Sequence, residues 1–322
     1  MKKTLSILLI AVSLITSCGK KNEPNPNNVN STVTVSTFAG SGFNGSTNGT
    51  GTLASFENLS GIVCDGSGNV FVSQTYGLIR KITPSGVVST FATLPGSDGL
   101  AIDASGNLFV SDFQNYLIRK VTPAGVVSTF ATGIPRVPLA VDASGNVCYV
   151  SLYLYKISPT GTRLPAIGNG YDINFAQIAF DSQGNLYLPD LRINIINEIN
   201  TTGQVSIFAG SEIGNNVNNP VSTNGPKSEA TFANPTGIAI DKSGNIYISD
   251  TFTNLIRKIS TNGTVSTLAG NGLQGSVNGK SSIASFNQPN FMTIDQSGNL
   301  YIIDGGMSYP GNGNLIRKIM IN

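Results

Sequence analysis

The chain of 322 residues contains no histidine and no tryptophan. Histidine is the usual general base near neutral pH, a frequent zinc ligand and a member of the Ser-His-Asp triad. Its absence excludes enzyme classes that depend on these groups. The composition therefore favours binding over catalysis.

Charged residues are also scarce, at 11% of the chain. Removing residues 1–17, which include Lys2 and Lys3, leaves 17 basic and 17 acidic side chains. A formally neutral domain does not attract nucleic acid electrostatically. We therefore expect no nucleic-acid partner.

A long hydrophobic run occurs near the N-terminus. Two lysines precede an apolar stretch from Leu5 to Leu14, and Ile15-Thr16-Ser17-Cys18 follows. The stretch is too short to span a bilayer as a mature helix and is typical of a targeting signal. Its last four residues resemble the bacterial lipobox, which implies a lipoprotein signal peptide at residues 1–17 and a lipid on Cys18. The alternative is an ordinary secretory signal.

Residues 18–32 are polar and rich in Asn and Pro, so we expect a lipidated N-terminus followed by a flexible tether. Gly19, not Asp, follows Cys18. By resemblance to known sorting rules, this implies lipid anchoring in the cell envelope, at the outer membrane more than the inner. The lipid would make the membrane one partner of the chain.

One short phrase occurs six times along the rest of the chain. The copies are DGSGN at 65, DASGN at 103, DASGN at 142, DSQGN at 181, DKSGN at 241 and DQSGN at 295. Their spacing indicates a unit of about 38 residues, interrupted by two insertions, and repeats of this length are typical of propellers and solenoids.

Each unit contains four short alternating segments that end at Gly, Asn or Pro, as in GIAID, IYISD, LIRKIS and TVSTLAG between 237 and 270. Alternation of this kind predicts half-buried antiparallel strands. Four-stranded sheets repeated around a channel form a β-propeller. The predicted fold class is all-β, a six-bladed β-propeller over residues 33–322.

The two ends of this region predict how the ring closes. The last unit stops at LIRKIMIN, after its third strand, whereas VTVSTFAG at 33–40 matches the fourth strands of other units. We therefore expect the N-terminal strand to complete the last blade. Because closure leaves no long edge strand, we also expect a monomer.

The combined motif, D-x-S-G-N-[LI]-[YF]-[IV]-x-D followed by N-x-x-I-R-K-[IV]-T-P-x-G-x-V-S-T, resembles the NHL repeat. This resemblance implies a fold shared by lyases, lactonases, adaptor modules and carbohydrate or protein binders. The histidine-dependent lyases of this fold have no matching positions here. The Glu, Asn and Asp metal site of gluconolactonase-like propellers is not reproduced convincingly either.

Two sets of aspartates recur. The aspartate that opens each SGN-type turn is interpreted as structural, because it can accept backbone N–H bonds. A second set ends the second strand of four blades, where it caps a turn or forms part of a Ca²⁺ ring. This set comprises Asp112, Asp190, Asp250 and Asp304. Blade one has Gln74 at this position, so such a ring would be incomplete.

In an antiparallel blade, the short turns share one face and the second-to-third loops and blade connections share the other. The connections include long segments at 40–59, 210–235 and 270–289. Variable loops on a rigid scaffold commonly bind ligands, so we place function on this loop face. Phe56, Phe232 and Phe286 recur in the long segments and are predicted packing anchors.

The residues that break the repeat near the channel mouth are the predicted ligand site. They are Asp98, Arg136, Gln177, Asn290 and Phe291, with Tyr116 and Tyr309 on neighbouring loops. We expect a non-catalytic module that binds a glycan or an envelope protein and needs no cofactor. The alternative is a Ca²⁺-dependent hydrolase or lactonase at the channel mouth.

Overall fold

The computed structural model describes residues 33–75, 77–168, 177–211, 221–305 and 314–321. The predicted signal peptide, Cys18, the tether and Tyr309 lie outside these residues. Thr32–Asn322 forms one compact unit that contains every described strand. None of the described helices is long and apolar enough to cross a membrane.

Six antiparallel sheets form the blades, and the fold prediction is confirmed. Blade one contains Leu59–Cys64, Val70–Gln74, Leu78–Ile82 and Val87–Thr93. Blade two contains Ser97–Ile102, Leu108–Asp112, Leu117–Val121 and Val127–Thr132. Blade three contains Ala140–Val141, Val147–Val150 and Leu154–Ile157.

The remaining blades follow the same order from the inside outward. Blade four contains Ala179–Phe180, Leu186–Asp190, Ile195–Ile199 and Val205–Ala209. Blade five contains Pro235–Ile240, Ile246–Asp250, Leu255–Ile259 and Thr264–Ala269. Blade six contains Pro289–Ile294, Leu300–Asp304, Leu315–Ile321 and Val33–Ala39.

The ring closes as predicted. Val33–Ala39 pairs antiparallel with Leu315–Ile321, with Val33 opposite Ile321 and Ala39 opposite Ile316. The first strand of each blade contacts the first strand of the next, and the first strand of blade six contacts that of blade one. The N-terminal strand is therefore the fourth strand of the last blade.

The number of strands per blade differs from the prediction of four. Three of the connections add a two-residue strand to the outer edge of a blade, namely Gly49–Thr50, Gly225–Pro226 and Gly279–Lys280. In blade three, isolated bridges join Ile157 to Arg163 and Leu154 to Ile167 in place of a fourth strand. Pro165 lies between them and has no N–H to donate to a ladder.

Short 3₁₀ helices occur at Gly51–Leu53 and Thr251–Thr253.

The turn aspartates are structural, as predicted. In the first copy, Asp65 Oδ1 accepts the backbone N–H groups of Ser67 and Asn69 at 2.9 and 2.8 Å. The other five copies repeat these bonds with Asp103, Asp142, Asp181, Asp241 and Asp295.

The core lies between neighbouring blades, where the strand side chains form separate apolar clusters. Cys64 and Cys148 lie in different blades and both are free thiols. Burial raises the pKa of each to about 12. Neither is a reactive thiolate at neutral pH.

Candidate functional site

The first strands of all six blades line a central cavity of about 240 Å³. Most of the residues that line it are apolar by type, Ile62, Leu100, Ile238 and Met292 among them, but polar atoms contribute more of its surface than apolar atoms do. The strands approach closely at glycine positions. A methyl group on Gly99, for example, would lie 3.0 Å from the carbonyl oxygen of Val137 in the next blade.

Gln177, predicted at the channel mouth, extends from blade four across the cavity. Its Oε1 accepts the backbone N–H groups of Ile238 and Met292, both at 3.0 Å. Its Nε2 donates to the carbonyl oxygen of Met292 at 2.7 Å. The side-chain amide thus joins blades four, five and six, and its hydrogen bonds are used within the protein.

Two further residues of the predicted ligand site, Asn290 and Phe291, face inward. Asn290 is 2% exposed. Phe291 is half-buried and packs against the apolar cluster between blades six and one. A ligand role for Gln177, Asn290 and Phe291 stays a prediction, and their geometry in the protein is that of packing residues.

Asp98, Arg136 and Tyr116 come together on the loop face of blade two. Arg136 donates from Nε and Nη2 to the two carboxylate oxygens of Asp98 at 2.6 and 3.1 Å. Its guanidinium also lies 5.0 Å from the ring centroid of Phe113. The Arg136 side chain is 61% exposed. We call Asp98, Phe113, Tyr116 and Arg136 the blade-two patch.

Tyr116 is the unusual member of this patch. Its backbone is left-handed, with φ of 57°, and the residue is 62% exposed. The carbonyl oxygen of Tyr116 accepts the N–H of Ile134, which holds the connection carrying Arg136 beside it. A bulky residue in this conformation is rare and costs about 1–2 kcal/mol.

Other blades treat the same position differently. Blade three also has a tyrosine there, Tyr153, but without a positive φ. Blade one has Gly77, and blades four, five and six have asparagine, which tolerates a left-handed backbone. These asparagines also bridge to the next connection, because Asn194 accepts the N–H of Asn234 and Asn254 accepts that of Gln288. Tyr116 instead exposes its side chain. Blade two therefore has a strained backbone at this position without the side-chain hydrogen bond that the asparagines form.

Exposed apolar side chains mark the second-to-third loops of the neighbouring blades as well. They are Leu152 and Tyr153 in blade three, Ile193 in blade four and Phe252 in blade five, from 38 to 62% exposed. Grouped exposed apolar residues are typical of binding surfaces. Sequence reasoning missed this set, because each residue differs in type and only its shared loop position reveals it.

The four candidate metal aspartates lie in separate ion pairs, each with an arginine of its own blade. The pairs are Asp112 with Arg119, Asp190 with Arg192, Asp250 with Arg257 and Asp304 with Arg317. Within the described ranges, no three Cys, Asp or Glu side chains group as metal ligands. The donor set does not fit a Ca²⁺ ring.

Two of these pairs are fully buried under the long connections. Arg317 donates to Asp304 at 2.7 Å and to the carbonyl oxygens of Ser285 and Val277 at 3.0 Å. Arg257 and Arg80 are held in the same way by the connections at 210–235 and 40–59. Burial raises the pKa of Asp304 to about 6, although Arg317 opposes this rise.

The phenylalanines of these connections are packing anchors, as predicted. Phe56, Phe232 and Phe286 are each 0% exposed, and each ring lies 5.2 to 5.6 Å from a buried guanidinium. The long connections therefore cover blades through these rings. They also carry exposed apolar residues of their own, namely Phe43, Leu53, Val221, Leu273, Val277 and Ile283.

Comparison with known families agrees with this architecture. The family model of the teneurin NHL domain matches residues 219–280. Protein SUPPRESSOR OF QUENCHING 1, chloroplastic, from Arabidopsis thaliana is 28% identical over 173 residues, or 48% of this chain and 16% of that protein. The chain thus spans about one sixth of that curated relative.

Several solved structures share the fold. A Bacteroides thetaiotaomicron protein of unknown function is 21% identical, with a TM-score of 0.78, covering 91% of this chain and 76% of that one. An auxiliary nutrient binding protein from the same species is 18% identical, with a TM-score of 0.71, covering 90% and 76%. Virginiamycin B lyase from Staphylococcus aureus is 15% identical, with a TM-score of 0.57, covering 90% and 100%.

At these identities the structural likeness shows the fold alone. The class is a six-bladed β-propeller. The repeated motif is similar to the NHL repeat in all six blades, and the family match covers residues 219–280, within blade five and the connections beside it.

Proposed function

We propose that this propeller is a non-catalytic binding module that holds its ligand on the loop face, at the blade-two patch. The observation that carries the proposal is Tyr116, an exposed aromatic residue kept in a strained backbone conformation. Strain of this kind concentrates at functional sites, because stability alone would select glycine or asparagine there.

The preferred ligand is a glycan. Aromatic rings offer flat apolar faces for sugar rings, and polar groups beside them supply hydrogen bonds. The patch combines the exposed residue Tyr116 with the exposed side chain of Arg136, and Phe252 and Tyr153 add aromatic surface in other blades. A nutrient-binding protein among the structural neighbours supports a binding function.

An envelope protein is the second candidate partner. The observation that favours it is the aliphatic part of the loop face, where Leu152 and Ile193 are exposed. Apolar side chains spread over several loops are typical of protein interfaces. For a hydrolase or lactonase, no arrangement among the described residues gives comparable support.

An array of bacterial and plant polysaccharides probed with residues 33–322 tests the glycan proposal, since this segment contains every described strand. We expect saturable binding to a glycan, and its loss in Arg136→Ala. Val126→Ala is the matched control, because Val126 is 61% exposed on the opposite, turn face. Binding to an envelope-protein fraction alone would favour the second candidate.

We also propose that Cys18 carries a lipid that anchors the domain in the cell envelope, at the outer membrane. The lipobox-like sequence ITSC and the polar tether after it support this. The full chain is expected in the membrane fraction of the producing cell and Cys18→Ser in the soluble fraction. Equal membrane association of both would contradict the anchor while leaving the binding proposal untouched.

A further inference from the structure

Five blades share a lysine on the third strand whose ammonium lies over an aromatic ring. The distances from Nζ to the ring centroid are 5.3 to 5.9 Å. The pairs are Lys81 with Phe71, Lys120 with Phe109, Lys156 with Phe180, Lys258 with Tyr247 and Lys318 with Tyr301. A lysine stem thus packs beside the blade interface in each case.

Blade four breaks this rule, because Glu198 replaces the lysine. Its carboxylate accepts the hydroxyl of Tyr187 at 3.4 Å instead. The cleft between blades four and five contains a cavity of about 300 Å³ on the turn face. This volume lies at the lower end of those of small-molecule sites, about 300–1,000 Å³.

The charged groups around the cavity differ in how much of their hydrogen-bonding capacity the protein already uses. Asp181 lines it, but its carboxylate already accepts the N–H groups of its own turn, the amide of Asn185 and the hydroxyl of Tyr187. The negative charge of Asp181 is therefore well satisfied. It leaves little capacity for a cationic ligand.

The two lysines of the cavity have donors to spare. Lys227 Nζ lies 3.8 Å from the ring centroid of Phe208, and it donates no hydrogen bond to any residue the structure describes. Lys242 Nζ donates to one carbonyl oxygen, that of Gln296, at 3.3 Å. Each ammonium carries three N–H donors, so both retain donors for a ligand.

We propose that this cleft is a second ligand site, distinct from the loop face, which binds a small molecule carrying a carboxylate or phosphate group. Lys227 and Lys242 bind the anionic group through charge-assisted hydrogen bonds. The hydroxyls of Ser243, Ser260 and Thr261 line the same cavity and serve the remaining polar atoms. The rings of Tyr187 and Phe208 supply its apolar wall.

Isothermal titration of residues 33–322 at constant ionic strength tests this site, with inorganic phosphate and glucuronate as separate probes. We expect saturable binding of at least one probe, which identifies the anionic group. Lys227→Gln and Lys242→Gln are each expected to weaken it about tenfold, by loss of a charged hydrogen bond. Lys120→Gln is the control, with the same charge change in another blade.

Thermal unfolding of each variant shows that it is folded. Failure of both probes to bind, or equal binding by the wild type, Lys227→Gln and Lys242→Gln, would overturn the proposal. Equal weakening by Lys120→Gln would also overturn it, since the effect would then come from net charge. Loop-face binding is independent of each outcome, because it is measured on the opposite face.

Discussion

Replacing Arg317 with methionine is expected to lower the free energy of unfolding by about 3–5 kcal/mol, because removing one partner of a buried ion pair leaves the other uncompensated. Arg317 and Asp304 are both 0% exposed in their side chains. The variant also removes the donors to the carbonyl oxygens of Ser285 and Val277. Urea unfolding of residues 33–322 measures the change.

Arg119→Met is the matched control. It occupies the same strand position in blade two and pairs with Asp112 at 3.0 Å, but its side chain is 26% exposed and no long connection covers it. We expect a loss of about 1 kcal/mol or less for this more open pair. Equal losses in the two variants would contradict the role of the long connection at 270–289.

The loss of unfolding free energy in Arg317→Met, called the deficit below, should also depend on pH. Arg317 holds down the pKa of Asp304, which burial raises to about 6, so its loss raises that pKa further. A folded-state pKa above the unfolded one gives stability that is present at low pH and lost as pH rises through the folded value. The deficit relative to wild type should therefore be smaller at pH 5 than at pH 8. A deficit that is independent of pH would contradict this assignment.

Replacing Gly237 with alanine is expected to lower the free energy of unfolding by about 3 kcal/mol, because overpacking between fixed backbones forces strands apart. The added methyl group would overlap the carbonyl oxygen of Asn290 in the next blade and lie 2.9 Å from Ser249 Oγ. The carbonyl oxygen belongs to the backbone of the first strand of blade six, so it cannot move without shifting that strand. Thermal and urea unfolding measure the loss.

Gly66→Ala is the control that separates the effect of close backbone packing from the general effect of replacing glycine with alanine. Its methyl group would meet only Gln296 Nε2, the end of an exposed side chain, at 3.3 Å. We expect a change within about 0.5 kcal/mol. If Gly237→Ala were tolerated equally well, the inner strands could not be as tightly packed as described.

Much of the fold follows from repetition in the sequence. The six SGN-type turns, the alternating strands and the missing fourth strand of the last unit predict the blades and their closure. The repeated phenylalanines Phe56, Phe232 and Phe286 likewise reveal packing. Repetition is informative because the same residues form the same turn, strand or packing contact in each copy.

Features that depend on contacts between repeats could not be predicted in this way. Predicting the edge strand Gly225–Pro226 and the burial of the Arg257 guanidinium requires knowing the path of the long connection at 210–235. The amino-acid sequence of that connection does not specify its path. The sequence predicts Gln177 at the channel mouth but does not reveal that its side chain bonds to blades five and six. The sequence identifies repeat-breaking residues, but not which contacts they make.

Tyr116 illustrates the same limit at the candidate site. Four of the other repeats have glycine or asparagine before the third strand and one has Tyr153, and only the left-handed backbone shows why Tyr116 is unusual. The signal was present in Gly77, Asn194, Asn254 and Asn314. Its meaning depends on backbone geometry that the sequence pattern alone does not display.

The most direct test of the central claim is a paired measurement on Tyr116→Asn, of unfolding free energy and of affinity for the glycan selected on the array. The account predicts that stability rises by about 0.5–1 kcal/mol, because asparagine tolerates the left-handed backbone, while ligand affinity falls at least tenfold. Val126→Ala should change neither. A variant that gains stability and binds the glycan as tightly as wild type would contradict the claim that Tyr116 keeps its strain for ligand binding.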